Sequence, residues 1–156
     1  MELSVIYSRA LAGIEAPLVR VETHLSNGLP AFNIVGMPET AVRESRDRVR
    51  SAIINSHFNF PDRRITVNLA PADLPKEGGR FDLSIALGIL TASGQVPEGL
   101  LPEHECLGEL ALDGSLRPIP GVVPAAMASR DNNRRLVVPA PSASLAARVP
   151  RAAVIA

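Results

Sequence analysis

Apolar and polar positions first alternate with a period of two. Across Glu15–Leu25, Val19, Val21, Thr23 and Leu25 fall on one side and Arg20, Glu22 and His24 on the other, the pattern of a strand with one buried face. Glu2–Leu11 reads as a strand before it, joined near Ala12-Gly13-Ile14. "SNGLP" reads as a turn and Ala31–Val35 as a third short strand, so the opening predicts a three-stranded meander. The period then lengthens in "GMPETAVRESRDRVRSAIINS". Pro38 and Glu39 suit a helix start, and the helix is expected to run to about Ser56. Val42, Val49 and Ile53 share one face, with Ala52 beside it. Arg43, Arg46 and Arg50 share another at i, i+3, i+7 spacing.

Further along, "ITVNLAP" is rich in β-branched residues and reads as a strand ended by Pro71. Phe81–Thr91 is apolar on most sides and predicts a largely buried helix. "CLGELALDGSLRPI" predicts a β-hairpin with Asp113-Gly114 as a two-residue tip that needs positive φ. Val122–Arg130 predicts a helix with Pro124 tolerated in its first turn. "RRLVVPA" reads as a strand, Ser142–Ala147 as a short helix and "AAVIA" as a last strand. There is no internal repeat and no long linker, so residues 1–156 read as one α/β domain. The chain stops inside an apparent strand, which suggests a piece of a longer protein.

Composition refines this picture. Aromatic residues make up 3% of the chain and Trp is absent, so Leu, Val, Ile and Ala must build the core, and stacking of bases on aromatic rings is disfavoured. The formal net charge of zero hides an uneven distribution. Arg43, Arg46, Arg48, Arg50, Arg63 and Arg64 face only Glu44, Asp47 and Asp62. Glu98, Glu103, Glu105, Glu109 and Asp113 form an acidic stretch. Solvated faces and internal ion pairs account for this, as does an anionic partner or an acid-to-base contact between subunits. The lone Cys106 excludes an internal disulfide and a Cys-rich zinc site and suits the core. No signal peptide is recognisable. The apolar runs Ser84–Leu90 and Ala140–Ala147 are too short or too mixed to span a bilayer, so the chain is expected in the cytoplasm without membrane contact.

The stretch "LPKEGGRFDLSIALGIL" (residues 74–90) poses the chemical question. A phosphate-binding Walker loop needs Lys after its last Gly and a Ser or Thr beyond it. Here Lys76, the sole lysine, precedes Gly78-Gly79, and neither Ser nor Thr stands where a magnesium ligand is needed. A nucleophile fares no better. Ser84 lies within the predicted helix, and Lys76 is expected in an exposed loop, kept protonated by Glu77 beside it. His24, His57 and His104 lie in separate segments. What remains is architectural: Gly78-Gly79 makes the turn, and Asp82 is expected to cap the helix beginning near Arg80.

Three segments have a familiar order. "GLPAFNIVGMPETAVRESRDRVRSAI", "NLAPADLPKEGGRFDLSIALGIL" and "LGELALDGSLRPIPGV" resemble the N-terminal domain of the magnesium-chelatase-like AAA+ proteins of bacteria, the ComM/YifB family. The resemblance covers nearly the whole chain. It implies a Lon-protease-like fold, shared with the C-terminal domain of the recombination protein RadA, in which a mixed sheet packs with helices in two α+β layers. Lon proteases place a nucleophilic Ser in the first glycine loop and a Lys after the later hairpin. On this chain those positions fall on Arg80 and Val123, so the resemblance implies a lost dyad. It also implies an AAA+ ATPase domain downstream, holding ATP and Mg²⁺, and a hexameric ring. That ring would act on branched DNA in natural transformation and recombination.

The expectation is therefore a catalytically inert domain that assembles a ring and guides DNA, with no cofactor or metal of its own. Arg43, Arg46, Arg50, Arg63 and Arg64 are the expected contacts to DNA phosphates. A Ser–Lys peptidase using Ser84 and Lys76, and a scaffold that never touches DNA, are the alternatives.

Overall fold

The alternating run becomes strand β2 (Leu18–Ser26), in which Val19, Val21, Thr23 and Leu25 are at most 1% exposed. The computed structural model describes residues 2–99 and 101–155. Around β2 it places β1 (Leu3–Arg9), β3 (Ala31–Val35), α1 (Glu39–Asn55), β4 (Arg64–Ala70) and α2 (Asp82–Ala92). Strands β5 (His104–Cys106), β6 (Glu109–Leu110) and β7 (Leu116–Arg117) follow. The described chain closes with α3 (Val122–Asp131), β8 (Arg135–Val137), α4 (Ala140–Ala146) and β9 (Val154–Ile155). Ala156, the end of the expected last strand, lies outside the described residues.

Seven strands form one mixed sheet in the order β3-β4-β2-β1-β5-β8-β9. The fold class is as expected, a mixed α/β sheet packed with helices, but the opening meander is not. Strand β3 does not pair with β2. Strand β4 lies between them, antiparallel to β2 and parallel to β3, with α1 as the crossover. A parallel pair requires such a crossover, and a two-residue turn cannot supply one. Burial explains the order. Ile65, Val67 and Leu69 of β4 are fully buried, suiting a central strand, whereas β3 buries only Ile34 and exposes Val35, suiting an edge.

Helices α1 and α2 cover one face. Val49, Ala52 and Ile53 carry α1 into the core, and α2 is buried nearly all round. Gly88 lets α2 settle on β1 and β2: a Cβ there would lie 2.4 Å from Thr23 Oγ1, and Ser4 Oγ donates to the Gly88 carbonyl at 2.8 Å. Helices α3 and α4 pack on the opposite face at the other end of the sheet. Adjacent β8 residues mark the division, Leu136 joining the second apolar cluster and Val137 packing on the first.

The expected hairpin is shorter than its sequence. Cys106 belongs to β5 in the main sheet, paired with Val137, and only β6 and β7 form the ribbon. Its tip is a longer loop than two residues. The Gly114 N–H donates to Ala111 O at 3.0 Å, and the Ala111 N–H donates to Ser115 O at 2.8 Å. Gly114 alone takes positive φ, at 92°, while Asp113 Oδ1 accepts from the Ser115 N–H at 2.9 Å and Ser115 Oγ at 2.7 Å. This is the turn-plus-bulge arrangement of three-residue loops.

Candidate nucleic-acid interface

Lys76, expected in an exposed loop, is 1% exposed. Its Nζ donates to the carbonyls of Gly36 at 2.9 Å, Leu74 at 2.9 Å and Pro71, so three acceptors meet the three N–H donors of an ammonium. Burial lowers its pKa, opposed by Asp73. Ser84 is also buried, and its Oγ donates to the Cys106 carbonyl at 2.8 Å, an acceptor it shares with Ser8 Oγ at 2.7 Å. The two side chains have separate partners and do not make the hydrogen-bonded pair that a Ser–Lys nucleophile needs.

Gly78 makes the turn with φ 69°. Arg80, the residue expected in place of a protease serine, is 5% exposed. Its Nε donates to Arg9 O at 3.0 Å and one terminal nitrogen to Pro120 O at 2.9 Å, tying the glycine loop to the end of β1 and to the segment before α3. Burial lowers its pKa. Glu109 lies directly over Gly79, where an added Cβ would meet its carboxylate at 2.5 Å. Val123, the residue expected in place of a protease lysine, is half-buried on α3 against the second apolar cluster.

Asp82 does not cap its helix, because α2 has no side-chain cap. Its carboxylate accepts from Ser45 Oγ at 2.6 Å, Arg48 Nε at 2.6 Å and the Leu110 N–H at 3.1 Å. It thereby joins α1, α2 and β6, and the short-range sequence pattern that suggested a cap carries no sign of these distant donors. Burial raises the Asp82 pKa, against the pull of Arg48, Ser45 and the Leu110 N–H. Burial works to lower the Arg48 pKa, but Asp82, Glu109 and Glu44 together raise it.

The arginines expected to contact DNA divide into three groups. Arg43 and Arg50 are exposed on α1 and have no acidic partner among the described residues. Arg46 lies between them, half-buried, donating to Phe32 O at 3.3 Å. Arg63 forms a two-pronged pair with Glu2, whose pKa it lowers. Arg64 directly precedes the buried Ile65 in β4, so it projects from the sheet face opposite α1. The expected five-arginine surface is thus reduced to a stripe on α1. Glu105 is likewise no part of an acidic surface. It is fully buried and held by Arg9 through two 2.8 Å bonds.

The stripe ends in a feature that aromatic scarcity concealed. Arg50 lies 5.0 Å from the Phe60 ring centroid, and Phe60 lies 5.5 Å from Phe32. With Phe58 they line a groove of about 540 Å³. Three of the four Phe in the chain converge there. The sequence signal was the clustered "HFNF" after the helix, next to the arginine spacing.

Among the described residues, no group of three or more His, Cys, Asp or Glu is placed to hold a metal ion. Among the same residues no helix is long and apolar enough to cross a membrane.

A family model described as subunit ChlI of Mg-chelatase matches residues 21–142. The chain is 54% identical over 149 residues to competence protein ComM of Haemophilus influenzae, covering 96% of this chain and 29% of that protein. It is 53% identical over 138 residues to the uncharacterized protein YifB of Escherichia coli, covering 88% of this chain and 27% of that protein. It is 42% identical over 149 residues to the uncharacterized protein Mb2921c of Mycobacterium bovis, covering 93% of this chain and 30% of that protein. The chain therefore spans less than a third of the length of each of these curated relatives.

Proposed function

The chain belongs to the family of subunit ChlI of Mg-chelatase, and from that premise we propose that it is a non-catalytic domain of a DNA-remodelling AAA+ ATPase, serving ring assembly and DNA guidance. In this reading the domain has a Lon-protease-like fold and lies N-terminal to the motor in a cytoplasmic hexamer. ATP and Mg²⁺ are bound by the motor domain, which drives branch migration during natural transformation. The name of one relative, a competence protein, supports the process.

The observation that carries DNA guidance is the α1 stripe. Arg43 and Arg50 present guanidiniums to solvent and make no ion pair among the described residues, and Arg46 lies on the same face. Such groups hold phosphates and position a strand without reading its sequence. Inertness rests on Ser84, whose hydroxyl is committed to a carbonyl, and on Arg80 at the nucleophile position.

The test is an anisotropy titration of labelled DNA at several salt concentrations, with the wild-type chain and an Arg43→Ala/Arg50→Ala variant. Each lost phosphate contact lowers the log–log salt slope by roughly 0.9 on duplex and 0.7 on single strands, so the variant's slope is expected to fall by roughly 1–2. One subunit binds weakly, and a ring gains avidity by repeating the stripe. An unchanged slope in a folded variant would leave the scaffold reading in its place.

A further inference from the structure

We propose that the groove beside α1 is a stacking site for an unpaired nucleobase, so that this domain engages single-stranded nucleic acid by base as well as by phosphate. This deepens the DNA-guidance reading and rests on it.

The groove combines one exposed aromatic ring and two partly buried ones with cationic charge. Phe58 is 39% exposed and Ile54 48% exposed, both large apolar groups left at its rim. Phe60 and Phe32 form its floor, and the Arg50 guanidinium lies over Phe60. An arginine placed on an aromatic face adds cation–π attraction to a stacked base and a counter-charge to its phosphate. The charge within the groove is graded. Asp62 and the Glu2-neutralised Arg63 line one side, while Arg50 brings an unpaired cation on the α1 side. From there Arg46 and Arg43 continue along the helix. A strand following that stripe would keep its backbone on the arginines and turn one base inward between Phe58 and Phe60.

The platform is held before any ligand arrives. The Asn59 N–H donates to Gln95 Oε1 at 2.9 Å, and Gln95 Nε2 donates back to Asn59 O at 2.8 Å, so one side chain clamps both backbone groups between the two phenylalanines. Helix α1 ends in a double bond pattern, with the His57 N–H on Ile54 O at 3.1 Å and the Phe58 N–H on Ile53 O at 3.2 Å. The residue forced into the left-handed region by that ending is His57, at φ 67°, rather than glycine. A non-glycine residue is strained there, and the conformation sends Phe58 toward solvent. Fixing rings in place beforehand reduces the ordering cost of binding.

The experiment compares two labelled strands of equal length and charge, oligo(dT) and a fully abasic oligonucleotide, by anisotropy titration at low salt. The wild-type chain is expected to bind oligo(dT) about tenfold more tightly, in line with the value of one stacked base. Phe58→Ala should erase that preference while leaving affinity for the abasic strand unchanged. Phe58→Trp should retain or increase it, which guards against a trivial folding defect in the alanine variant. Equal binding of both strands by the wild type would overturn the stacking site and leave phosphate guidance standing. Binding of neither strand would overturn DNA guidance and the stacking site with it. Self-association of the wild type that Phe58→Ala abolishes, without a base preference, would make the groove a contact between copies and overturn the proposal.

Discussion

Replacing Asp82 by alanine separates two accounts of one carboxylate. A helix cap lost to alanine costs about 1 kcal/mol. The structure makes Asp82 the acceptor of Ser45, Arg48 and the Leu110 N–H instead. Its removal leaves the Ser45 hydroxyl, on a residue 1% exposed, without its acceptor, and does the same to the Leu110 N–H. Each stranded donor costs about 1–3 kcal/mol. Arg48 loses its buried partner but keeps 21% side-chain exposure and Glu44 at 3.8 Å, so water and Glu44 recover part of its loss. The sum falls in the range for breaking one side of a buried pair, about 3–5 kcal/mol. With a urea m-value of roughly 2 kcal/mol/M, the unfolding midpoint should drop by roughly 2 M. The chain has no Trp, so far-ultraviolet circular dichroism is the suitable probe. Ser45→Ala and Arg48→Met complete a double-mutant cycle with Asp82→Ala, and both pairs should couple strongly. A loss of about 1 kcal/mol, additive with Arg48→Met, would refute the three-element junction and return Asp82 to an ordinary first-turn acid.

Gly114→Val should destabilise by about 2–3 kcal/mol in the same assay, since valine resists positive φ. An added Cβ there would also lie 2.2 Å from Ser56 Oγ on the end of α1. A fluorophosphonate probe is expected to leave the native chain unlabelled, because Ser84 is fully buried with its hydroxyl donating to the Cys106 carbonyl. Cys106, whose thiol burial pushes up to about 12, should resist Ellman's reagent until the chain unfolds. Labelling of either residue in the folded protein would contradict the packing of α2 on β5.

The local pattern of residues carried most of the elements and little of their assembly. Period-two alternation located β2, and the apolar spacing of Val49, Ala52 and Ile53 located α1, because one buried face leaves a direct mark on the sequence. The place of β4 left no such mark. Insertion between β2 and β3 depends on which ladder each strand completes, a long-range choice that adjacency in the chain misstates. Strand β5 was missed because three residues are too few for a period, and because Glu105 looks like surface until Arg9 is found against it. The same limit applied at the candidate site. The spacing of Arg43, Arg46 and Arg50 was legible along one helix, but the groove needs Phe32 from the sheet edge, Phe58 and Phe60 from the loop, and Gln95 from beyond α2. Asp82 was misassigned for the same reason, its partners lying 28 to 37 residues away.

The carbonyl cage around Lys76 has a chemical consequence for the whole molecule. Lys76 is the only lysine, and its ammonium is already spent on three backbone oxygens. The folded residues 1–156 therefore offer amine-directed acylating reagents and cross-linkers no accessible lysine. Enzymes that modify lysine meet the same closed door. Acylation at this nitrogen would remove its charge and two of the three protons that hold the ends of β3 and β4 together, so a modified Lys76 records a chain that had opened. All remaining cationic side chains apart from the histidines are arginines. Anions that meet this surface consequently meet planar, many-donor forks rather than point charges, which favours two-pronged contacts to carboxylate and phosphate.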